Sequence, residues 1–366
     1  MKKIKIFIVL LLMVSILNGC SGGGKADVEY LSNVFYGPFD TEFRLNAYAT
    51  EEEFKEHFSI LRTEIERLDH LYDKYNNYEG INNIKTINDF AGIKAVEVDQ
   101  DIIDLLNFSI ETAKAISFKT NIALGPVTNI WHYYRELNNG SIPTLEELKV
   151  ANQYTDLTNI IIDNENNTVY LPDKNMILDV GATAKGYAAE LARNKLVENG
   201  CESFILSAGG NIVSYGERLI DNSNNSLSEV LPACITNFCV GITSPGTDSY
   251  QDKENIAAIV AKDGISIVTS GDYERYFIGN DGQRYHHLID PDTLFPGNYM
   301  RSLTIITKRS DMADFLSTIV FLNPYEIGLE IVENLEDVEA VWLLNDGSIK
   351  VSSGLVEGEN IHIYEE

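Results

Sequence analysis

The spacing of apolar residues predicts amphipathic helices in the first half of the chain. Behind Thr50, apolar residues recur every three or four positions as far as Leu68, which is the period of one buried helix face. Thr50 and Glu53 have the pattern of a capping box, in which the threonine accepts from a first-turn amide and the glutamate reaches back. A second helix is predicted from about Asp101 to Ile116, and a third helical pattern follows the irregular segment 121–126.

Beyond Ile160 the pattern changes to short runs rich in β-branched residues, separated by turns. One helix interrupts them, from about Thr183 to Glu198, with Gly200 placed as a C-cap. Hairpins mixed with helices predict the α+β class, as a single elaborated mixed domain with β-hairpins and packed helices. Strands are predicted at residues 160–162, 168–171, 177–180, 204–207, 256–261, 265–269, 303–307 and 338–344.

The first twenty residues have the three parts of a secretory signal. Lysines at positions 2, 3 and 5 precede an apolar run, Ile6–Ile16, which is shorter than the roughly 20 residues of a membrane-spanning helix. The run ends in a Leu-x-Gly-Cys sequence that resembles the bacterial lipobox, in which the cysteine is lipidated; an ordinary signal peptide with a chance cysteine is the alternative. We expect a signal peptide at 1–19, a lipidated Cys20 with a flexible tether at 20–29, and the functional domain at 30–366, anchored to the bacterial membrane outside the cytoplasm.

Composition and charge exclude some functions. With 366 residues, 44% of them hydrophobic, the chain can bury a core. Its net charge is −27, from 55 acidic and 28 basic side chains, which argues against a nucleic-acid partner because such binding needs clustered Lys and Arg. An anionic ligand would therefore need a metal ion or a locally basic pocket.

Three cysteines remain beyond the signal. Cys234 and Cys239 could close a small loop in an oxidising compartment, and three buried thiols, with Cys201, are the alternative. Neither spacing nor histidine pairs suit a zinc site. The segment 217–239 is predicted to be an insertion, exposed at its polar stretch 221–226.

The most informative stretch for chemistry is Leu178–Tyr187. An acidic residue, Asp179, precedes a turn of small residues, and a helix then starts with Lys185 in its first turn. This arrangement directs backbone N–H groups and one cation at a ligand over the helix N-terminus, which suits a phosphate. Packing alone also explains small residues at such a turn.

Three further stretches could contribute to a site. Ser207–Asn211 contains a Gly-Gly turn that would also serve a tight hairpin. Thr269–Tyr276 offers hydroxyls, a glycine turn and an arginine beside aromatic rings. Tyr285–Pro291 places two histidines close to Asp290, and histidine is the side chain best suited to proton transfer near neutral pH, although a structural turn is the simpler interpretation.

A helix predicted at Asp311–Val320, with Ser310 as its N-cap, presents Asp314, Ser317 and Thr318 at spacings of three and four, so they share one face. Hard oxygen ligands of this kind suit Mg²⁺, which takes few protein ligands and completes its shell with phosphate and water. The alternative is a solvated helix face. Because the adjacent stripe is apolar, we expect Asp314 near the boundary of the core.

Together these stretches resemble the FAD:protein FMN transferase family, the ApbE-type flavin transferases. The resemblance covers about residues 34–351 and depends on the order of six stretches. In chain order they are Gly125-Pro126 with Trp131, residues 178–187, residues 209–211, residues 269–273, residues 287–291, and Ala313-Asp314 with Ser317-Thr318.

The resemblance implies an extracytoplasmic, Mg²⁺-dependent enzyme that transfers FMN from FAD, through a phosphoester bond, to a threonine hydroxyl of an acceptor protein, releasing AMP. It implies a metal held by the backbone carbonyl of Ala182 and the side chains of Asp314 and Thr318, with Ser317 as a further candidate. His287 is the implied catalytic base. The residues implied to bind the flavin nucleotide are Tyr36, Tyr75, Asn121, Asp179, Lys185, Gly209, Gly210 and Tyr273.

The chain departs from the family pattern at three places. Tyr36-Gly37-Pro38 replaces the usual Met-Gly-Thr, where Tyr36 could stack on the flavin ring instead. Gly181-Ala182 is a mild change, because the role implied for Ala182 uses only its carbonyl. Leu294 replaces a common glycine, and since leucine adopts positive φ only at a cost, we expect a reshaped loop there.

Two other functions stay open at this stage. With water as the attacking group, the same site would be an FAD pyrophosphatase that releases FMN and AMP. A non-catalytic flavin-binding or solute-binding lipoprotein is the third possibility. The sequence contains no acceptor motif of the Asp-Gly-x-Ser/Thr-Gly-Ala-Thr kind, so a transferase would modify another protein.

Overall fold

The fold is built from strands and helices that we describe from a computed structural model, which covers residues 28–219, 227–245, 255–262 and 264–364. The strands described are β1 (Glu29–Tyr36), β2 (Glu42–Ala49), β3 (Val96–Glu97), β4 (Ile161–Asp163), β5 (Thr168–Tyr170), β6 (Phe204–Ala208), β7 (Asn211–Tyr215), β8 (Phe238–Thr243), β9 (Asn255–Ala261), β10 (Ser266–Gly271), β11 (Phe277–Ile278), β12 (Arg284–Tyr285), β13 (Met300–Thr307), β14 (Val338–Leu344), β15 (Ile349–Val351) and β16 (Ile361–Ile363). The α-helices described are α1 (Glu51–Tyr72), α2 (Ile84–Asp89), α3 (Gln100–Ala115), α4 (Gly125–Leu137), α5 (Leu145–Asn152), α6 (Ala184–Glu198), α7 (Leu227–Val230), α8 (Ser310–Phe321) and α9 (Tyr325–Glu333).

One large antiparallel sheet organises these elements, in the order β1-β2-β6-β7-β10-β13-β14-β15. Alternate residues of a strand point to opposite faces. Phe204 and Leu206 of β6 pack with α1, α6 and α8, whereas Ile205 packs with the small sheet β16-β9-β8. The large sheet is therefore buried on both faces, and the predicted α+β class is confirmed.

Helices α6 and α8 cross at Gly186, where only glycine fits. A Cβ added to Gly186 would overlap the Cβ of Asp314 and the carbonyl oxygen of Ser310. Each helix also supplies a carboxylate to the start of the other: Gly186 N donates to Asp314 Oδ2 at 2.7 Å, and Ser310 N donates to Glu190 Oε2 at 2.9 Å. Both bonds satisfy first-turn donors that a helix leaves unpaired. The crossing therefore fixes the two helix N-termini against each other.

Most predicted elements lie within one or two residues of the observed ones, and one predicted strand is wrong. The capping box is confirmed, since Thr50 Oγ1 accepts from Glu53 N and Glu53 Oε2 accepts from Thr50 N. Residues 177–180 form no strand. The Asn88 side chain accepts from Leu178 N at 2.7 Å and donates to Leu178 O at 3.0 Å, so an amide side chain takes the place of a neighbouring strand.

The structure decides between the two cysteine alternatives and shows how the second half of the insertion packs. Cys234 and Cys239 form a disulfide, and Cys201 is a buried free thiol. Leu231 and Cys234 are buried against Ala258 and its neighbours on β9, so this part of the 217–239 insertion belongs to the folded body.

Some predictions concern segments outside the described residues, which begin at residue 28 and omit 220–226. The signal peptide at 1–19, the lipidated Cys20 and the exposed stretch 221–226 therefore stay predictions. Within the described ranges, none of the helices combines the length and apolar character needed to cross a membrane.

Leu294 contradicts the expectation that its loop avoids positive φ. Its φ is 66°, a left-handed conformation that costs a leucine about 1 to 2 kcal/mol. The side chain is buried beside Trp131, and the Trp131 indole N–H donates to the Leu294 carbonyl at 2.8 Å. Burial of a leucine stabilises by about 2 kcal/mol, which offsets the strain.

The crossing predicts the effect of Gly186→Ala. Because the new methyl would overlap backbone as well as side-chain atoms of α8, we expect the free energy of unfolding in urea to fall by about 2 kcal/mol or more. Lys195→Ala, at an exposed position of the same helix, should change it by less than about 0.5 kcal/mol. Equal stability of Gly186→Ala and the unmodified chain would contradict the close crossing.

Candidate functional site

The turn before α6 leaves one carbonyl available. Ala182 precedes Thr183, the N-cap of α6, so its carbonyl lies outside the hydrogen-bond ladder of the helix. The Gly186 N–H, one of the first-turn donors, is bound by Asp314 Oδ2. Among the described residues, no backbone N–H donates to the Ala182 carbonyl, while Val180 O accepts from both Thr183 N and Ala184 N. The Ala182 oxygen is thus free to accept a ligand.

Asp314 is a buried carboxylate that has no cation at ion-pair distance within the part of the chain that the structure describes. It is 6% exposed, and burial raises the pKa of Asp314 above its usual range, although the Lys185 charge and the Gly186 N–H act in the opposite direction. The interpretation as a solvated helix face is wrong, because of the twelve residues of α8 only Met312 escapes full burial. A carboxylate in this position favours a bound cation.

The hydroxyl groups beside Asp314 differ in their availability. Ser317 Oγ donates to the Asp314 carbonyl at 2.8 Å, so its contact of 2.9 Å with Ser270 Oγ must be one in which Ser270 donates. Thr318 is 7% exposed and has no such side-chain partner among the described residues. Asp314, Thr318 and the Ala182 carbonyl therefore offer oxygen ligands, whereas Ser317 is already engaged.

The described residues contain no cluster of three or more His, Cys, Asp or Glu side chains that could hold a metal ion. A metal at Asp314 would therefore have one protein carboxylate and neutral oxygens. That donor set fits Mg²⁺, which keeps several waters and takes substrate phosphates as further ligands.

Lys185 is a cation whose charge acts on both Asp314 and His287. It occupies the first turn of α6. The positive charge of the Lys185 ammonium lowers the pKa of Asp314 and also the pKa of His287.

His287 is held in one tautomer. Its Nδ1 lies 3.1 Å from the carbonyl oxygen of Glu274, which can only accept, so Nδ1 carries the proton and Nε2 has a free lone pair. Burial, with the charges of His286, Arg275 and Lys185, lowers the pKa of His287 to about 3. The imidazole is therefore neutral near pH 7 and can accept a proton at Nε2.

The neighbouring histidine and aspartate have structural partners. His286 Nε2 donates to Gly297 O at 2.6 Å, and its Nδ1 accepts from Leu288 N at 3.2 Å. Asp290 accepts from Lys119 Nζ at 2.6 Å. His287 is thus the member of this stretch with a free nitrogen.

Asp179 is braced within the protein. Asp179 Oδ2 lies 2.7 Å from Lys74 Nζ and 2.6 Å from Thr128 Oγ1, and Oδ1 accepts from Gly181 N at 3.0 Å. Although burial opposes ionisation, the Lys74 charge and these hydrogen bonds lower the pKa of Asp179 to about 2. Sequence reasoning missed Lys74 and Thr128, which belong to no recognised motif. The predicted flavin contact of Asp179 would have to share a carboxylate that already has three donors.

The Gly-Gly turn forms the hairpin between β6 and β7. Gly209 and Gly210 have φ values of 55° and 97°, as a two-residue hairpin requires. A Cβ on Gly209 would overlap the Thr41 side chain, and Gly209 N donates to Glu42 O at 3.0 Å. The turn therefore packs tightly against the segment that follows Tyr36.

The four other residues predicted to contact the flavin differ in their exposure and in their hydrogen-bond partners. Tyr36 is 69% exposed and Tyr75 is 55% exposed, so both rings are available to a ligand. The Tyr273 ring is partly buried over Gly271. Asn121 donates to Thr155 O and accepts from Ala123 N, so its amide braces the loop before α4. These four assignments stay predictions.

The Asp179 environment predicts a pH effect on stability. The folded-state pKa of about 2 lies below the ordinary value of 3.8, so the ionised carboxylate stabilises the fold above pH 4 and loses that effect as pH falls through 2. Between pH 6 and pH 2, the difference in unfolding free energy between the unmodified chain and Asp179→Asn should shrink by roughly 2 kcal/mol. Asp337→Asn, which removes the surface pair with Lys308, should show a change below about 0.5 kcal/mol. A difference that does not depend on pH would contradict the assignment.

Comparison with known proteins identifies relatives over most of the chain. The model of the ApbE family matches residues 39–342. A Treponema pallidum (strain Nichols) protein named FAD:protein FMN transferase is 30% identical over 280 residues, which cover 75% of this chain and 74% of the relative. A Klebsiella pneumoniae (strain 342) protein of the same name is 28% identical over 271 residues, covering 74% of this chain and 77% of the relative.

Solved structures share the fold. The ApbE protein from Thermotoga maritima matches with a TM-score of 0.76 and 24% identity, over 89% of this chain and 98% of that one. The flavin transferase ApbE from Vibrio cholerae matches with a TM-score of 0.70 and 21% identity, over 89% and 98%. The family match spans α4, the turn before α6, the Gly-Gly hairpin, His287 and α8, and the chain therefore belongs to the ApbE family.

Proposed function

We propose that this chain transfers the FMN moiety of FAD to a threonine hydroxyl of an acceptor protein and releases AMP. The observation that carries the proposal is the first turn of α6, where the Gly186 N–H binds Asp314 and the Ala182 carbonyl has no backbone partner. The two relatives named FAD:protein FMN transferase support it.

Phosphate binding follows from the start of α6. The N-terminus of a helix favours anions because its first N–H groups point outward and its dipole is positive there. Lys185 adds a cation in the same turn. In a chain of net charge −27, a pyrophosphate needs such local positive charge to approach.

Mg²⁺ would be held by the Ala182 carbonyl, the Asp314 carboxylate and the Thr318 hydroxyl, with Ser317 behind them. When bound, the ion neutralises charge on the phosphate oxygens. The fit depends on the unpartnered Ala182 carbonyl and on the buried Asp314, which has no cation at ion-pair distance among the described residues.

His287 supplies the base for the chemical step. The threonine oxygen of the acceptor forms a bond to the FMN phosphorus while the bond between that phosphorus and the bridging oxygen of AMP breaks. The hydroxyl proton passes to Nε2 of His287, and AMP leaves with the electron pair of the broken bond. The Glu274 carbonyl holds the Nδ1 proton in place, so Nε2 stays the basic nitrogen.

We also propose that the protein acts outside the cytoplasm as a lipoprotein anchored through Cys20. The lipobox-like sequence motivates this location. The disulfide between Cys234 and Cys239 supports it, because such bonds persist in oxidising compartments.

The transfer reaction predicts a specific product. Incubation of the purified chain with FAD, Mg²⁺ and a threonine-containing acceptor protein should give a fluorescent acceptor whose mass has increased by one FMN group, together with AMP. Chelation of the metal should abolish the product. Release of free FMN and AMP without an adduct would instead indicate a pyrophosphatase, and unchanged FAD would indicate a binding protein.

Asp314→Asn should lower the transfer rate by roughly 10²-fold or more and raise the Mg²⁺ concentration needed for half-maximal activity. Asp311→Asn is the matched control, since Asp311 is a buried carboxylate of the same helix that pairs with Arg309. Equal Mg²⁺ requirements for the Asp314 and Asp311 variants would contradict the metal assignment.

The low pKa of His287 predicts how the rate of transfer depends on pH. Because its pKa lies at about 3 in the free protein, His287 is already the neutral base throughout the range pH 5 to 8. The kcat/KM for FAD should therefore show no fall on the acid side of this range, and His287→Asn should lower kcat by roughly 10² to 10⁴-fold. An acid limb near pH 6.5 that disappears in His287→Asn would contradict the low pKa.

A further inference from the structure

The turn between β10 and β11 contains a strained arginine. Arg275 has φ of 46°, a left-handed conformation that is unfavourable for a residue with a side chain. Such strain persists where the surroundings hold the backbone, and it concentrates at functional sites.

Three contacts hold this turn. Glu274 O lies 3.1 Å from Nδ1 of His287, and Arg275 O accepts from Arg135 Nη1 at 3.4 Å. The Arg275 guanidinium reaches the carbonyl oxygen of Phe39 at 3.4 Å. The guanidinium therefore lies between the His287 stretch and the N-terminal turn that packs on Gly209.

Arg275 differs from the arginines around it in having no carboxylate partner. Arg284 and Arg301 both pair with Asp272, at 3.2 and 2.8 Å. Among the described residues, no carboxylate lies within ion-pair distance of Arg275 or of Lys185.

Arg275 and Lys185 both lie close enough to His287 for their charges to act on its imidazole. The charges of Arg275 and Lys185 each lower the pKa of His287. The one bond from the guanidinium to Phe39 is long, so most of the five N–H donors remain for a ligand. A planar guanidinium binds two oxygens of one phosphate, and two separated cations match the two phosphates of a diphosphate.

We propose that Arg275 is a second phosphate-binding residue, which works with Lys185 to hold the diphosphate of FAD beside His287. This inference rests on the proposed function. It also gives the strained turn a role. The same backbone conformation positions the Glu274 carbonyl to accept from Nδ1 of His287 and directs the Arg275 guanidinium toward the substrate.

The test separates the diphosphate from the flavin ring. Dissociation constants for FAD, ADP and riboflavin would be measured by calorimetry for the unmodified chain, Arg275→Gln, Arg275→Lys and Arg284→Gln. ADP carries the diphosphate without the flavin, and riboflavin carries the ring without phosphate. Arg284 is the matched control, because it lies in the adjoining hairpin and is already neutralised by Asp272.

We expect Arg275→Gln to weaken FAD and ADP binding about 10-fold or more and to leave riboflavin binding within about 2-fold. Arg275→Lys should recover part of the loss, and Arg284→Gln should change none of the three by more than about 2-fold. Unchanged FAD and ADP binding would overturn the inference, as would an equal loss for riboflavin, which would indicate collapse of the turn. A raised KM for the acceptor with unchanged FAD binding would also overturn it and place Arg275 on the acceptor.

Measurements on the unmodified chain distinguish failure of this inference from failure of the proposed function. If it binds FAD and labels an acceptor while Arg275→Gln binds FAD equally well, only the inference fails. If the unmodified chain neither binds FAD nor labels an acceptor, the proposed function fails and the inference falls with it.

Discussion

The site depends on the hydrogen bond between the Gly186 N–H and the Asp314 carboxylate at the crossing of α6 and α8. That bond orients Asp314 toward the start of α6, where the Ala182 carbonyl has no backbone partner among the described residues. Glu190 completes the arrangement from the other side by accepting from Ser310 N. Two helices that each satisfy the other's first turn cannot easily shift independently, so the oxygen ligands, Lys185 and the helix N-terminus keep one relative position.

Two carboxylates of the candidate site, the partly buried Asp179 and the buried Asp314, have opposite environments. Asp179 has Lys74 at 2.7 Å, and its pKa falls to about 2. Asp314 has no cation at that distance among the described residues, and burial raises its pKa. Compensated charge is typical of a structural pair, whereas an uncompensated buried carboxylate is suited to a metal ion. The same reasoning distinguishes Arg284, paired with Asp272, from Arg275, which has no carboxylate at ion-pair distance among the described residues and whose charge acts on His287.

Local signals in the sequence were enough to predict the long helices, most strands and the stretches that converge on α6. They failed where a distant residue decides the structure. Residues 177–180 look like a strand, but the Asn88 side chain binds both backbone groups of Leu178 in place of a neighbouring strand. Leu294 takes positive φ because burial against Trp131 compensates for the strain. Lys74 lacks any motif, and the stretch that contains Arg275 gave no sign of its charge environment, because both depend on which charges the fold brings near them.

The most direct test of this account is the position of a metal ion relative to the crossing. Mn²⁺ can replace Mg²⁺ at oxygen sites and is visible by its anomalous scattering. A crystal of the chain grown with Mn²⁺ and FAD should show one strong anomalous peak in contact with the Ala182 carbonyl, the Asp314 carboxylate and the Thr318 hydroxyl. A peak elsewhere, or an Asp314 side chain turned away from the ion, would contradict the claim that the crossing of α6 and α8 builds the site.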